Sequence, residues 1–368
     1  MQERTYKPDG AEHSITIGKT TFIVSSFTNT QATATAEELI IRMLKSKVAE
    51  AAKEEKNRMI HYNNSIIVPV DTGYGNIKNS LHSFPTGIAA YKTKPAFEGK
   101  ILHINNMYYR IGEGHKEYIP DKTVDEEFRL LTIAAICDEC RSCGYYEGNI
   151  YLAVGCPTTM LTAQRESTRE YFLKNLHIDC EYNNIHYHLN IVGCFVYPQG
   201  YAAVTEHLHN MTGVNMVVDI GNGTANILQV NNKRVIEDKC VTEKLGVNQY
   251  MIAVQKAVMA QYGKKIDTEV VEHFIRTGDT DVPDNYKNIF CEEAEKYCRK
   301  IFDALYRCEY DPDFMKLYVC GGGVKLIRRF GKYNSDRVIF IDDICATAKG
   351  YQQFALKSLK ALEKRSEQ

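Results

Sequence analysis

The chain has 368 residues, 44% of them hydrophobic and 25% charged, which is enough for two or three domains around a substantial core. A formal charge of −1 supplies no overall field toward nucleic acid or an anionic membrane, and no apolar run reaches the roughly 18 residues a bilayer requires. The N-terminal MQERTYKPDG lacks the apolar region of an export signal, so the expected location is the cytoplasm, where twelve cysteines read as reduced thiols.

Residues 1–64 read as an appendage. Ile15 and Ile17 alternate with polar residues, Gly18-Lys19 suits a two-residue turn, and Phe22 and Val24 resume the alternation, predicting a β-hairpin. Thr35 and Glu38 then form a capping box ahead of Ile40, Leu44 and Val48, one face of a helix that runs out into the charged stretch 51–58. A hairpin and one helix bury too little surface to be stable alone.

The next stretch carries chemistry. Ile66, Ile67, Val68 and Val70 predict a buried strand, although Pro69 favours an edge position. The strand ends at Asp71, and Gly73 and Gly75 follow, flanking Tyr74 and leading through Asn76 to Lys78. Glycines two apart let a backbone turn tightly and bring its N–H groups close to an anion. Asp71 can hold a water on a divalent cation and Lys78 can reach a phosphate, so the stretch reads as half of a phosphate clamp; the alternative is a plain hairpin with a glycine turn.

Residues 76–90 predict a partner strand, and 91–122 are polar and aromatic, with Tyr108 and Tyr109 in a strand. A helix over 124–143 is predicted from the capping box Thr123 and Glu126 and from Phe128, Leu131 and Ala135 on one face. Cys137, Cys140 and Cys143 have the spacing that opens an iron–sulfur motif, but Glu147 stands where a fourth ligand belongs, and cysteines three apart on a helix also serve as small buried hydrophobes. A strand over 150–154, a helix capped by Thr158 and running to about Leu176, and a strand over 185–197 follow, delivering Gln199 into a turn.

The second half repeats the plan. An apolar strand ends at Asp219, and Gly221, Asn222, Gly223 and Thr224 form the turn into another strand that ends near Val230. A strand over 233–241, a helix opening at Val247 with Ile252 and Val258 on its apolar face, and charged helices over 267–310 come next. A strand over 316–320 runs into Gly321, Gly322 and Gly323 before a helix, a turn through which backbone can approach a base or ribose. After a strand over 338–341, the closing helix carries Tyr351, Phe354, Ala355, Leu359 and Leu362 on one side.

These motifs, in this order, resemble those of the actin-like ATPases, and most closely the bacterial ParM/StbA plasmid-segregation branch, over about residues 65–362. Asp71-Thr-Gly-Tyr-Gly-Asn-Ile-Lys78 is similar to the family's first phosphate loop, Asp219-Ile-Gly-Asn-Gly-Thr224 to its second, and Gly321-Gly-Gly323 to its adenosine segment. Residues 195–200 resemble the connecting segment that carries a water-positioning residue, a part that falls to Gln199. Residues 1–64 resemble small transposon-encoded TnpW-type proteins.

The resemblance implies an α/β, actin-like two-domain fold with a nucleotide cleft between duplicated halves. Domain I would span 65–212 with the closing helix 345–363, and domain II 213–344. It implies ATP, or GTP, with Mg²⁺ held through water by Asp71 and Asp219, and slow hydrolysis in which Gln199 orients the attacking water. It further implies self-association into filaments that segregate or maintain a plasmid or mobile element, through a DNA-binding adaptor rather than by direct sequence-specific DNA contact, and without a membrane. Asn222 and Asn226 replace carboxylates common in relatives, which leaves Asp219 as the second loop's only charge. A non-polymerising nucleotide-binding adaptor and a small-molecule kinase of the same fold remain as alternatives.

Overall fold

The computed structural model describes residues 13–17, 20–24, 60–114 and 125–366. The chain divides into two compact units, Met1–Glu54 and Glu55–Gln368. In the first, β1 (His13–Ile17) and β2 (Thr20–Val24) pair antiparallel with Ile17 opposite Thr20, the register expected of a two-residue connection. The helix expected over 35–48 lies outside the described residues.

The second unit is built on two mixed sheets. The first contains β3 (His61–Tyr62), β4 (Ser65–Thr72), β5 (Asn76–Lys78), β6 (Ser83–Pro85), β7 (Ile88–Tyr91), β8 (Lys100–Ile104), β9 (Met107–Ile111), β10 (Glu147–Cys156), β11 (His177–Tyr182) and β12 (Ile185–Pro198). Its order is β6-β5-β4-β10-β12-β11-β8-β9-β7, with β3 also on β4. The second contains β13 (Val214–Ile220), β14 (Ala225–Asn231), β15 (Arg234–Val235), β16 (Val241–Glu243), β17 (Lys316–Gly321) and β18 (Val338–Phe340), in the order β15-β14-β13-β17-β18 with β16 on β14.

The two halves share a scheme. In each, a buried strand (β4 or β13) turns back antiparallel through a glycine turn into β5 or β14, and on its other side pairs parallel with β10 or β17. The parallel pairs need crossover helices. These are α1 (Glu126–Cys143) and α2 (Leu161–Leu173) in the first half, and α3 (Val247–Tyr262), α4 (Thr268–Thr277), α5 (Asp284–Arg307) and α6 (Val324–Phe330) in the second. The closing helix α7 (Ala346–Ser366) returns to the first sheet, where Gln352 Nε2 donates to the Ile67 carbonyl at 2.9 Å.

Pro69 sits in the middle of the first sheet, not at its edge. Ile67 N–H points to the β3 side, toward the Ile60 carbonyl, so the Pro69 nitrogen faces that side too. There β3 pairs only with Ser65 and Ile66, and β5 only with Asp71 and Thr72, so the missing donor falls in the gap between them. Strand β4 is buried on both faces. Ile66, Val68 and Val70 pack with α1, while Ile67 packs with Ala153, Tyr197 and Tyr351 under α7.

Several expectations are corrected. The single strand expected over 76–90 is three short ones, because Asn79 Oδ1 accepts from the Leu81 and His82 amides and turns the chain. The N-cap of α1 is Asp125, which accepts from Glu127 N–H; Thr123, expected in the capping box, lies outside the described residues. Thr158 does not cap α2; a 3₁₀ turn intervenes and its hydroxyl donates to the Gln199 carbonyl at 2.7 Å. The strand expected over 233–241 is broken by a 3₁₀ turn at Glu237–Lys239. Ile252 is only half-buried, and the core side of α3 is Tyr250, Met251, Val254 and Val258. Leu362 is 54% exposed, beyond the point where α7 leaves the core. Cys137 and Cys140 are fully buried in the first core, where burial pushes both thiols well above the ordinary range.

Candidate functional site

The ends of β4 and β13 meet at one place. Asp71 and Lys78 are cross-strand neighbours in the β4–β5 hairpin, so their side chains lie on one face and Lys78 Nζ stands 3.2 Å from Asp71 Oδ2. Thr86 braces the turn between them: its hydroxyl donates to the Gly73 carbonyl at 2.7 Å and its amide to that of Gly75 at 3.0 Å. Because a peptide's C=O and the following N–H point in opposite directions, the amides of Tyr74 and Asn76 turn away from Thr86. The Tyr74 ring packs edge-on against Phe128, so at this position the backbone is what faces the turn's open side.

The second turn is braced differently. The carbonyls of Gly221, Asn222 and Gly223 accept from Val247, Asn248 and Gly246 amides at 2.9, 2.9 and 3.3 Å, so the first turn of α3 finds its acceptors there. The amides of Asn222, Gly223 and Thr224 are thereby directed away from the helix. Gly246 is required by this close approach, since a Cβ would lie 2.2 Å from the Asn222 oxygen. The two turns face each other across the halves, where a Cβ on Gly75 would lie 2.6 Å from the Asn222 Cβ.

Gln199 and Asp219 complete the cluster. The Gln199 amide donates from Nε2 to Asp71 Oδ1 at 3.3 Å, while its backbone N–H donates to the Cys156 carbonyl at 3.0 Å. Gly200, at φ +77, carries the turn against β13, its Cβ position 3.4 Å from the Asp219 Cβ. Burial pushes the Asp219 carboxyl up to about 6; Lys78 pulls it down and Asp71 pushes it further up. Burial alone would lower the Lys78 ammonium, but Asp71 and Asp219 together hold it above its ordinary value. Two carboxylates thus share one lysine in a desolvated place.

The three glycines after β17 are used unequally. Gly321, at φ +85, lies under Asp219, with its Cβ position 2.5 Å from Asp219 Oδ1, and the Gly323 Cβ position is 2.4 Å from Ile220 Cγ2. The space those two glycines leave is therefore filled by the protein itself. Gly322 is more open, its nearest neighbours being Ile220 O and Val247 Cγ2 at 3.8 Å.

The residues singled out from the sequence, Asp71 to Lys78, Gln199, Asp219 to Thr224 and Gly321 to Gly323, thus converge. Sequence reasoning gave no part in the site to Thr86 or Gly246, and read Thr158 only as a helix cap and Tyr351 only as an apolar position of the closing helix. It also missed the role of Asn226, which accepts from Thr242 Oγ1 at 2.9 Å, with Thr159 Oγ1 a further 3.1 Å away. Chemically, two sets of outward-turned amides, one ammonium and two carboxylates can hold a polyphosphate together with a cation.

Comparison with known proteins agrees with this architecture. Residues 217–330 match the family model for the C-terminal part of MreB-like archaeal actin homologues. The archaeal actin homologue Ta0583 superposes with a TM-score of 0.65 at 17% identity, covering 79% of this chain and 99% of its own, and its complex with ADP gives 0.63. Bacillus thuringiensis ParM with ATP gives a TM-score of 0.59 at 15% identity, covering 81% of this chain and all of its own. The Alp12 filament structure gives 0.59 at 17% identity, again with 81% and 100% covered. No curated protein matches the sequence. The chain has the actin-like fold, with its two glycine turns at the junction of the duplicated halves.

Proposed function

We propose that the protein is a nucleotide-dependent, filament-forming ATPase of the ParM/StbA kind, serving to segregate or maintain a plasmid or mobile element. The observation that carries this reading is the facing pair of glycine turns, with Asp71, Lys78, Gln199 and Asp219 gathered between them. It is supported by fold relatives solved with ADP, with ATP and as a filament.

In this reading the amides of Tyr74, Asn76, Asn222, Gly223 and Thr224 donate to phosphate oxygens from both sides, and Lys78 adds a positive charge. Gln199 is no base, but with its Nε2 tied to Asp71 its carbonyl oxygen can accept from a water and align it with the terminal phosphorus. The donor set suits Mg²⁺, a hard ion that takes carboxylates and keeps waters: Asp71 and Asp219 share a single lysine, and burial makes the ionised form of Asp219 costly. Bound there, the ion would supply charge neutralisation at the phosphates. ATP is the favoured nucleotide, with GTP as the competitor in the test.

Domain I comprises 65–212 with helix 345–363, domain II comprises 213–344, and 1–64 is a TnpW-like appendage. Nucleotide bridging the turns favours the closed arrangement of the halves, and subunits joining head to tail through a heterologous contact build an open filament. The cargo is reached through a DNA-binding adaptor protein.

Light scattering, pelleting and phosphate release with Mg-ATP, with Mg-GTP and without nucleotide test the proposal on the same samples. Gln199→Ala is expected to release phosphate about 100-fold more slowly, with assembly retained and filaments longer-lived. Hydrolysis by the wild type with no scattering or pelleted protein would replace the filament reading by the adaptor or kinase class.

A further inference from the structure

Helix α7 brings Tyr351, a residue outside the two glycine turns, to this site. Tyr351 is fully buried and its hydroxyl has no hydrogen-bond partner among the described residues, a costly condition for a polar group. Its surroundings are built to admit it. Gly155 lies one residue beyond Val154, the last residue of β10 paired with β4, and its Cβ position is 1.9 Å from the Tyr351 hydroxyl oxygen, so only glycine leaves room. In the same row Tyr197 is opposite Gly155 on β12, and its ring is stacked with that of Tyr351 at a 6.4 Å centroid separation. Gln352 pins the helix to the Ile67 carbonyl, which fixes the approach of the ring.

The groups around this hydroxyl are those of the site. Asp71 extends from the face of β4 that α7 covers, and Gln199 follows β12 by one residue beyond Pro198. Burial holds the Tyr351 hydroxyl well above its ordinary range, and Asp71 and Asp219 push it the same way, while the Gln199 amide acts against them. At the working pH the group is therefore a neutral hydroxyl, able both to donate and to accept.

We propose that Tyr351 is a further positioning residue of the hydrolytic site: with nucleotide bound, its unpartnered hydroxyl takes up the Gln199 amide so that the amide's carbonyl oxygen stays turned toward the attacking water. The Gln199 NH₂ has two hydrogens, and Asp71 Oδ1 takes one. The second is not bonded to Tyr351 in this arrangement of the side chains; with nucleotide in the site the Tyr351 oxygen takes it, which prevents the amide from rotating. Tyr351 touches neither phosphate nor water and acts through Gln199. The inference rests on the nucleotide-hydrolysis reading above.

Tyr351→Phe keeps the ring, its stacking and the occupied notch at Gly155, and removes only the oxygen. The expected result is about a tenfold lower single-turnover rate of phosphate release, with nucleotide Kd within twofold of wild type and a melting temperature equal to or above that of wild type, since the oxygen removed has no partner. Adding Gln199→Ala to Tyr351→Phe should cost no more than Gln199→Ala alone, because both act through one amide. Wild-type hydrolysis by Tyr351→Phe, or a rate loss that Gln199→Ala multiplies, would overturn the role. A parallel loss of nucleotide affinity and melting temperature would also overturn it, marking Tyr351 as a packing residue only. A wild type that binds nucleotide without hydrolysing it sinks the underlying reading instead, and is recognised because the reference protein itself is silent.

Discussion

Replacing Glu139 with Gln should stabilise the protein at alkaline pH and leave it nearly unchanged in acid. Glu139 is fully buried on α1, where its carboxylate accepts from the Ser80 amide at 2.9 Å and from the Ser80 hydroxyl, just beyond the strand that carries Lys78. Burial pushes its carboxyl up to about 7 from an ordinary 4.5; the Ser80 bonds oppose this, Asp138 adds to it and Lys349 subtracts. Between those two values the folded state holds a proton that the unfolded chain has lost. Stability from this group therefore falls as pH rises from 4.5 to 7 and is level above that. The distance between the ordinary value and about 7 corresponds to about 3 kcal/mol. The Gln side chain removes the titration and keeps a carbonyl oxygen for the Ser80 amide. In urea unfolding followed by circular dichroism, Glu139→Gln should exceed wild type by about 3 kcal/mol at pH 8 and by less than about 1 at pH 5. The comparison between proteins cancels the other titrating groups. An equal difference at the two pH values would refute the assignment of the buried charge to Glu139.

Two other outcomes follow from the same geometry. Gly75→Ala places a Cβ 2.6 Å from that of Asn222, so the two turns must separate; an overpacking cost of about 1–3 kcal/mol should weaken nucleotide binding by roughly 5- to 150-fold in titration calorimetry, and an unchanged Kd would show that the turns do not close on the ligand. Deletion of residues 1–58 should leave a folded, nucleotide-binding protein, because every strand of the two sheets lies beyond Met59; aggregation of the truncated chain would assign the appendage a part in the core.

Local signals were legible in the sequence because they depend on a few neighbouring residues. Alternation around Gly18-Lys19 set the register of the N-terminal hairpin, and the apolar runs ending at Asp71 and Asp219 before spaced glycines marked both strand-to-turn elements. Their order was enough to indicate duplicated halves of an actin-like fold. What depends on distant chain segments was decided only by tertiary structure. Pro69 fits an interior strand because the gap between β3 and β5 happens to fall beside its nitrogen, and no local rule could show that. Thr158 resembles a helix cap by spacing, yet its hydroxyl finds the Gln199 carbonyl across the sheet. Tyr351 looked like one more apolar position on the closing helix, because periodicity reports which face is buried and says nothing of what its hydroxyl meets. Glycines, likewise, announce that space is needed but not for whom: Gly321 and Gly323 yield theirs to Asp219 and Ile220, and Gly155 to Tyr351. The sequence by itself determined where the chain bends and which stretches are buried. Packing of the two halves and of α7 decided which side chains share the cleft, because that depends on contacts summed over segments far apart in the chain.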